Sequence, residues 1–258
     1  MPEHTSFLTY ILALFPALRE NAKNLGTPIF PAEAHNAVEY RGLEPIFASV
    51  VVIAFVVFLA AGVRGEFKNL DESVVPDDTL TTRTFFEAFA GYFYNMAKDV
   101  MGDKNAKRYF PIIGGSALFI FFSNATALIP GFNPPTSSLN VTFGCAIFVF
   151  LAFNYYGLKE NGWDYIKHLA GPKWYLAPLV FPIEVISTCV RPITLAVRLM
   201  INMAVDHLIG AIFLGMIAFL VPIPLMFLGI IVILVQTLVF CLLSSIYIGL
   251  ATEHAEHH

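Results

Sequence analysis

Residues Trp174–Leu220 read WYLAPLVFPIEVISTCVRPITLAVRLMINMAVDHLIGAIFLGMIAFL, and this tract decides the fold. No glycine-rich or polar turn interrupts its 47 residues. At about 1.5 Å per residue a helix of that length reaches roughly 70 Å, more than twice a ~30 Å hydrocarbon layer. The tract therefore either breaks at Pro178, Pro182 or Pro192, or lies steeply tilted in the membrane, and its unbroken apolar character favours tilt. A second apolar tract, Ile223–Leu250, follows it, with Val221-Pro222-Ile223-Pro224 as the only turn between them.

The rest of the chain agrees. Hydrophobic residues make up 57 % of the 258 and charged ones 13 %, with a net charge of −4. A water-soluble globule of this size has no way to cover so much apolar surface, so soluble enzymes and disordered tails are both excluded. The charge carries no nucleic-acid footprint. Pro45–Val63 is free of charge and reads as a first span, ended by Arg64. Tyr109–Leu158 is also uncharged but too long for one crossing, and Gly131, Pro134 and Pro135 divide it. The expected architecture is an all-α integral membrane protein with spans at about 45–63, 109–130, 139–158, 174–220 and 223–250. The last two spans form a long tilted hairpin. The single membrane domain, 45–250, lies between an N-terminal segment (1–44) and a tail (251–258). Cys145, Cys189 and Cys241 sit in apolar tracts without metal or disulfide spacing and read as membrane-buried residues, so no metal or cofactor is expected.

Basic residues set the orientation. Arg64–Arg108 holds seven of the fifteen and Lys159–Lys173 three more, whereas the 131–138 and 221–224 connections hold none. Both basic loops on one side place the N-terminus outside and the C-terminus in the cytoplasm. Residues 6–18 are apolar but too short to span and read as an interfacial helix. In the segment 83–100, Phe85, Phe89, Tyr92 and Met96 fall on one side, with Phe86 and Phe93 at its edges. That pattern suits an amphipathic helix at the cytoplasmic surface, or equally a loop helix packed on the bundle.

Ionisable side chains inside a span are expensive and mark function. The long tract carries Glu184, Arg191, Arg198, Asp206 and His207. At about 100° per residue, Glu184, Ser187, Arg191, Thr194, Arg198 and Asn202 share one face, Asp206 stands about 80° from Arg198, and His207 points the opposite way. Glu184 has Arg191 two turns on as a counter-ion, and Arg191 reads equally as a snorkelling anchor. Arg198 has no carboxylate at i±3 or i±4 and keeps its proton at any accessible pH, so it requires an anionic partner from elsewhere. Gln236 on the last span reads either as interhelical glue or as lining the same aqueous path as Asn202.

Val197-Arg198-Leu199-Met200-Ile201-Asn202, the later Gln236 and the Glu253-His254 tail together resemble the a subunit of the membrane sector (Fo) of F-type ATP synthases. So do Phe122–Phe132, Pro134-Pro135-Thr136, Leu139–Thr142 and Arg191–Leu195, and the resemblance covers about 40–253. It implies a non-catalytic stator subunit that carries protons past a ring of c subunits, held by peripheral-stalk b subunits in a bacterial inner membrane. In that reading Arg198 faces the ring carboxylates and separates two half-channels. Asn202, Gln236 and Asn124 belong to the outer path, and Glu184 and Ser187 to the cytoplasmic one. The chain departs from the family pattern in placing Ile201 where glycine is common. It also has His207, with Asp206 beside it, and Gly229 where a glutamate–histidine pair is usual, which leaves the inlet to Asp206, His207 or both. No phosphate loop or Walker lysine is present, so nucleotide binding is not expected. A stand-alone channel or secondary transporter is the rival, although no internal repeat supports it. A purely structural scaffold would leave Arg198 without purpose.

Overall fold

The computed structural model describes residues 44–66, 81–129, 132–170, 177–216 and 222–252. Among these residues the secondary structure is entirely helical: α1 (Glu44–Glu66), α2 (Thr82–Ala125), α3 (Leu139–Ala170), α4 (Ala177–Met216) and α5 (Pro222–Thr252). Single 3₁₀ turns at Thr126–Leu128 and Pro135–Ser137 shape the connection from α2 to α3. Five stretches are long and apolar enough to cross a bilayer: Glu44–Val63, Thr82–Leu128, Leu139–Glu160, Val180–Gly210 and Met226–Thr252. The expected helix at 6–18 and the Glu253-His254 tail lie outside the described residues.

Helix α2 is two limbs joined at one glycine. Thr81 starts it, its hydroxyl accepting the Thr84 N–H and so satisfying a donor that the first turn leaves free. At Gly102 the backbone takes φ 79° and ψ 162°, a region that only glycine occupies without strain. The chain turns back there. Tyr94 meets Phe110 (ring centroids 5.4 Å), Phe89 meets Phe121 (5.3 Å) and Phe85 meets Phe121 and Phe122 (6.0 and 6.4 Å), so the limbs run antiparallel. The segment 83–100 is the first limb and packs along the second. Its inward side differs from the one its pattern suggested: Phe93 and Ala97 are 5 % and 0 % exposed, whereas Phe85 and Tyr92 are 41 % and 55 % exposed. Aromatics on several sides give a weak periodic preference, so close packing decides the rotation. Small Ala97 lets the limb settle on the bundle, and Gly249 of α5 admits the hinge. A Cβ at Gly249 would stand 3.4 Å from the Met101 Cβ and 3.8 Å from its Cα.

The core lies between the second limb of α2 and α5. Tyr109, Ile113, Ala117 and Ile120 recur at helical spacing and are almost wholly buried. They face Phe240, Cys241 and Ile248, and the Cys241 Sγ comes to 3.9 Å from the Ile113 carbonyl oxygen. Val149 and Phe153 of α3 and Leu195 and Leu199 of α4 complete the cluster. Hydrocarbon tails are as apolar as leucine, so helices in a bilayer associate through close packing, which alanine and glycine at 97, 106, 117 and 249 permit. The pair Arg108–Glu160 ties α2 to α3, and α1 rides outside with Phe55 against Phe122.

Helix α4 runs without a break from Ala177 to Met216, with Pro182 and Pro192 inside it. Pro178 falls in the first turn, where its missing N–H forfeits nothing. Helix α3 runs past the expected end at 158 to a kink at Gly162, where φ 51° and ψ −127° are non-helical, and a second helical piece reaches Ala170. The three cysteines are free: Cys241 is buried, Cys145 half-buried, and Cys189 on the exposed face of α4 rather than in the packed interior.

Candidate functional site

The two faces of α4 differ sharply. Thr188, Pro192, Leu195, Ala196, Leu199 and Met203 turn into the bundle and are buried. The polar stripe lies along the edge of that buried face: Ser187, Thr194, Arg198 and Asn202 are exposed, and Glu184 and Arg191 half-buried. Helix geometry alone sets this out, because residues three, four and seven apart share a side.

Each stripe residue has a distinct partner. The Arg191 guanidinium stands 4.0 Å from the Glu184 carboxylate and 5.2 Å over the Tyr247 ring of α5, which gives the first cation a carboxylate and an aromatic face within this chain. Thr194 donates to the Val190 carbonyl (2.9 Å) and so turns its hydroxyl inward to its own helix. Asn202 Nδ2 donates to Gln236 Oε1 at 2.7 Å. Arg198 makes no hydrogen bond, ion pair or ring contact with any described residue. Its charge faces outward.

The Asn202–Gln236 and Arg191–Tyr247 contacts define one antiparallel register between α4 and α5. Both helices place their polar partners eleven residues apart, which is close to three whole turns. That matched spacing is the sequence signal that would have found Tyr247 as the ring under Arg191. Gln236 itself is 4 % exposed, and its amide oxygen takes its hydrogen bond from across the helix interface.

The remaining expected residues lie apart from this pair. Asn124, near the end of α2, is fully buried, and its Oδ1 accepts from the Thr136 hydroxyl at 2.6 Å. Thr136 comes from the short Pro135–Ser137 turn, which the sequence marked as a helix breaker but not as a partner for Asn124. One turn beyond Asn124, Leu128 approaches Gly229 of α5, where an added Cβ would meet Leu128 Cδ2 at 3.4 Å. Asp206 is half-buried on α4, one turn past Asn202. The side chain of His207 lies outside the described residues. Among the described residues no group of histidine, cysteine and carboxylate side chains has the arrangement of a metal site.

Residues 46–249 match the ATP synthase A chain family. The chain is 70 % identical over all 258 residues, and over the relative's full length, to ATP synthase subunit a of Sorangium cellulosum. It is 45 % identical over 173 residues to ATP synthase subunit a of Geobacter sulfurreducens, covering 67 % of this chain and 75 % of the relative. It is 38 % identical over 207 residues to that of a Sulfurihydrogenibium species, covering 80 % of this chain and 98 % of the relative. With five helices long and apolar enough to cross a membrane, and a match over nearly the whole of that region, the chain belongs to the ATP synthase A chain family.

Proposed function

We propose that this chain is the proton-carrying, non-catalytic stator of the membrane sector of a rotary ATP synthase, and that Arg198 faces the carboxylates of a c-subunit ring. One observation carries the reading: a permanently charged guanidinium sits exposed on a membrane-spanning helix with no partner among the described residues. A charge at that depth is expensive unless something anionic meets it, so the partner comes from outside the chain. Arg191 provides the contrast, because its charge is answered by Glu184 and Tyr247.

The chemistry follows from elementary electrostatics. A ring carboxyl is neutral while it faces lipid, where a bare charge costs several kcal/mol. Next to Arg198 its ionised form is favoured, and the proton departs on one side. Asn202, Gln236 and Asn124 line the outer path, and Glu184 and Ser187 the cytoplasmic one. The fixed positive charge of Arg198 repels protons and keeps the two paths from joining. Each charge crossing 100 mV releases ~2.3 kcal/mol, and repeated passages drive rotation. The N-terminus lies outside and the C-terminus in the cytoplasm of a bacterial inner membrane, with α4 and α5 tilted and b subunits anchoring the chain.

The test is Arg198→Ala in the assembled complex, read as ATP-driven acidification of membrane vesicles. Pumping falls by at least about 100-fold with the complex still assembled. Arg198→Lys fails as well, because a compact ammonium lacks the planar fork. Normal pumping in the alanine variant overturns the reading.

A further inference from the structure

The fold of α2 at Gly102 leaves a space between its two limbs. A slot of about 180 Å³ runs between Phe86, Phe89 and Phe93 of the first limb and Phe110, Gly114 and Gly115 of the second. Every side chain that lines it is apolar, so it offers an occupant no side-chain hydrogen bond. Glycine makes the room. A Cβ at Gly114 would stand 3.2 Å from the Phe110 ring, which lies close over the bare backbone, and a Cβ at Gly115 would meet nothing within 4 Å. Pro111 and Gly115 are exposed, and Gly115 stands about 160° from buried Ile113 around the helix. The slot therefore opens away from α5.

Depth and charge together say what fills it. The slot belongs to Thr82–Leu128, a stretch apolar enough to cross a bilayer, so its mouth meets hydrocarbon. Measured along the helix from Gly102, Phe110 lies about 12 Å away and Leu118 about 24 Å, at ~1.5 Å per residue. With the charged hinge at the membrane surface, the slot brackets the middle of a ~30 Å layer. Around the hinge, Lys98, Lys104, Lys107 and Arg108 stand against Asp99 and Asp103, a net charge of +2. Lys159 and Glu160 of α3, the latter paired with Arg108, add one charge of each sign. Asp103 holds Lys98 at 3.2 Å and Lys107 at 3.3 Å, which gathers the positive excess at one place. Basic clusters at the membrane end of a helix pair attract anionic headgroups.

We propose that this slot is a lipid site, holding the end of one acyl chain of an anionic phospholipid whose headgroup rests on the basic hinge. Apolar cavities of ~150 Å³ stay dry and accept apolar guests, and this slot is of that kind. A partner's transmembrane helix, about 10 Å across, is too wide to enter it. A methylene chain fits. The site stands apart from Arg198 and does not depend on the stator reading.

The test uses the assembled complex in vesicles of mixed phosphatidylcholine and phosphatidylglycerol, one lipid at a time carrying a photoreactive group near the end of an acyl chain. Labelled peptides are then mapped by mass spectrometry. The phosphatidylglycerol probe labels 86–93 and 110–118 at least about fivefold more than the phosphatidylcholine probe, as expected for a headgroup drawn by excess positive charge. Gly115→Phe fills the slot and lowers that labelling by at least about tenfold, because the guest loses its space. Gly144→Phe puts the same ring at an exposed, open position of α3 and stays within about twofold of the parent. Equal labelling by the two probes overturns the proposal, and so does parental labelling in Gly115→Phe. An unlabelled slot in the parent complex, as a side chain of a partner subunit seated there would give, overturns it as well. Where Gly115→Phe reduces the amount of complex, Ala90→Leu narrows the slot from the other limb, and parental labelling in that assembled variant is again fatal. Arg198→Ala labels like the parent, so failure of the stator reading leaves this result untouched.

Discussion

The α2–α5 seam and the outer face of α4 are both built from membrane helices, yet they follow opposite rules. The seam is finished within the chain. Tyr109, Ile113 and Ile120 meet Phe240, Cys241 and Ile248 with almost nothing left exposed, and Gly249 admits the Met101 backbone. The α4 face is unfinished. It carries a guanidinium without a counter-ion among the described residues, flanked by exposed Ile201 and Val205 at 47 % and 44 %. A cation on a membrane-spanning helix with no counter-ion among the described residues keeps its charge open to an anionic group from outside the chain. The seam is closed by its own side chains, and the α4 face is not.

Giving the open face what the seam already has breaks this comparison most severely. Asn202→Asp places a carboxylate four residues from Arg198, within reach of it on the same helix. An internal pair then competes with any external carboxylate. ATP-driven pumping falls by at least about tenfold while the complex assembles normally, as measured in vesicles alongside complex content; one tenfold corresponds to ~1.4 kcal/mol of competing interaction. Parental pumping in this variant would mean that Arg198 does not need to be unpaired.

Damage to the seam has a different signature. Tyr109→Ala removes a fully buried ring that packs on Tyr156 at 4.7 Å, and it destabilises the chain by about 3–5 kcal/mol. The expected readout is a lower unfolding temperature and less assembled complex, with pumping per complex unchanged. A smaller effect sharpens the account of the hinge. Gly102 has open space around its Cα, so Gly102→Ala creates no clash and tests the backbone alone. The φ of 79° with ψ of 162° makes alanine cost about 1–3 kcal/mol, measured by thermal unfolding in detergent. An unchanged unfolding temperature would show that the limbs do not meet at a glycine-only turn.

Much of this is legible without coordinates. The span positions follow from charge-free lengths, because a bilayer demands about 20 apolar residues whatever the tertiary fold. The polar stripe on α4 follows from helical periodicity, and the isolation of Arg198 from the absence of carboxylates at i±3 and i±4. Pairing across helices is another matter. That Gln236 meets Asn202 depends on the register of two helices, which no local spacing reveals until Arg191 and Tyr247 are seen to repeat it. The inward side of the 82–101 limb departs from its sequence pattern for a related reason. Phenylalanines at 85, 86, 89 and 93 surround much of the helix, and the burial of Ala97 together with the fit of Met101 against Gly249 of α5 selects a rotation.

The sequence by itself determined that the chain lives in a membrane, where its helices lie, and that one cation among them is left without a local counter-ion. These are consequences of apolar length, helical period and fixed charge, and each is set by residues close together in the chain. The tertiary structure alone decided that the Tyr247 ring lies under Arg191, that Asn202 and Gln236 share a hydrogen bond, and that Gly102 folds α2 back on itself. Those outcomes depend on close packing between distant segments, where a single glycine or alanine sets how near two backbones come.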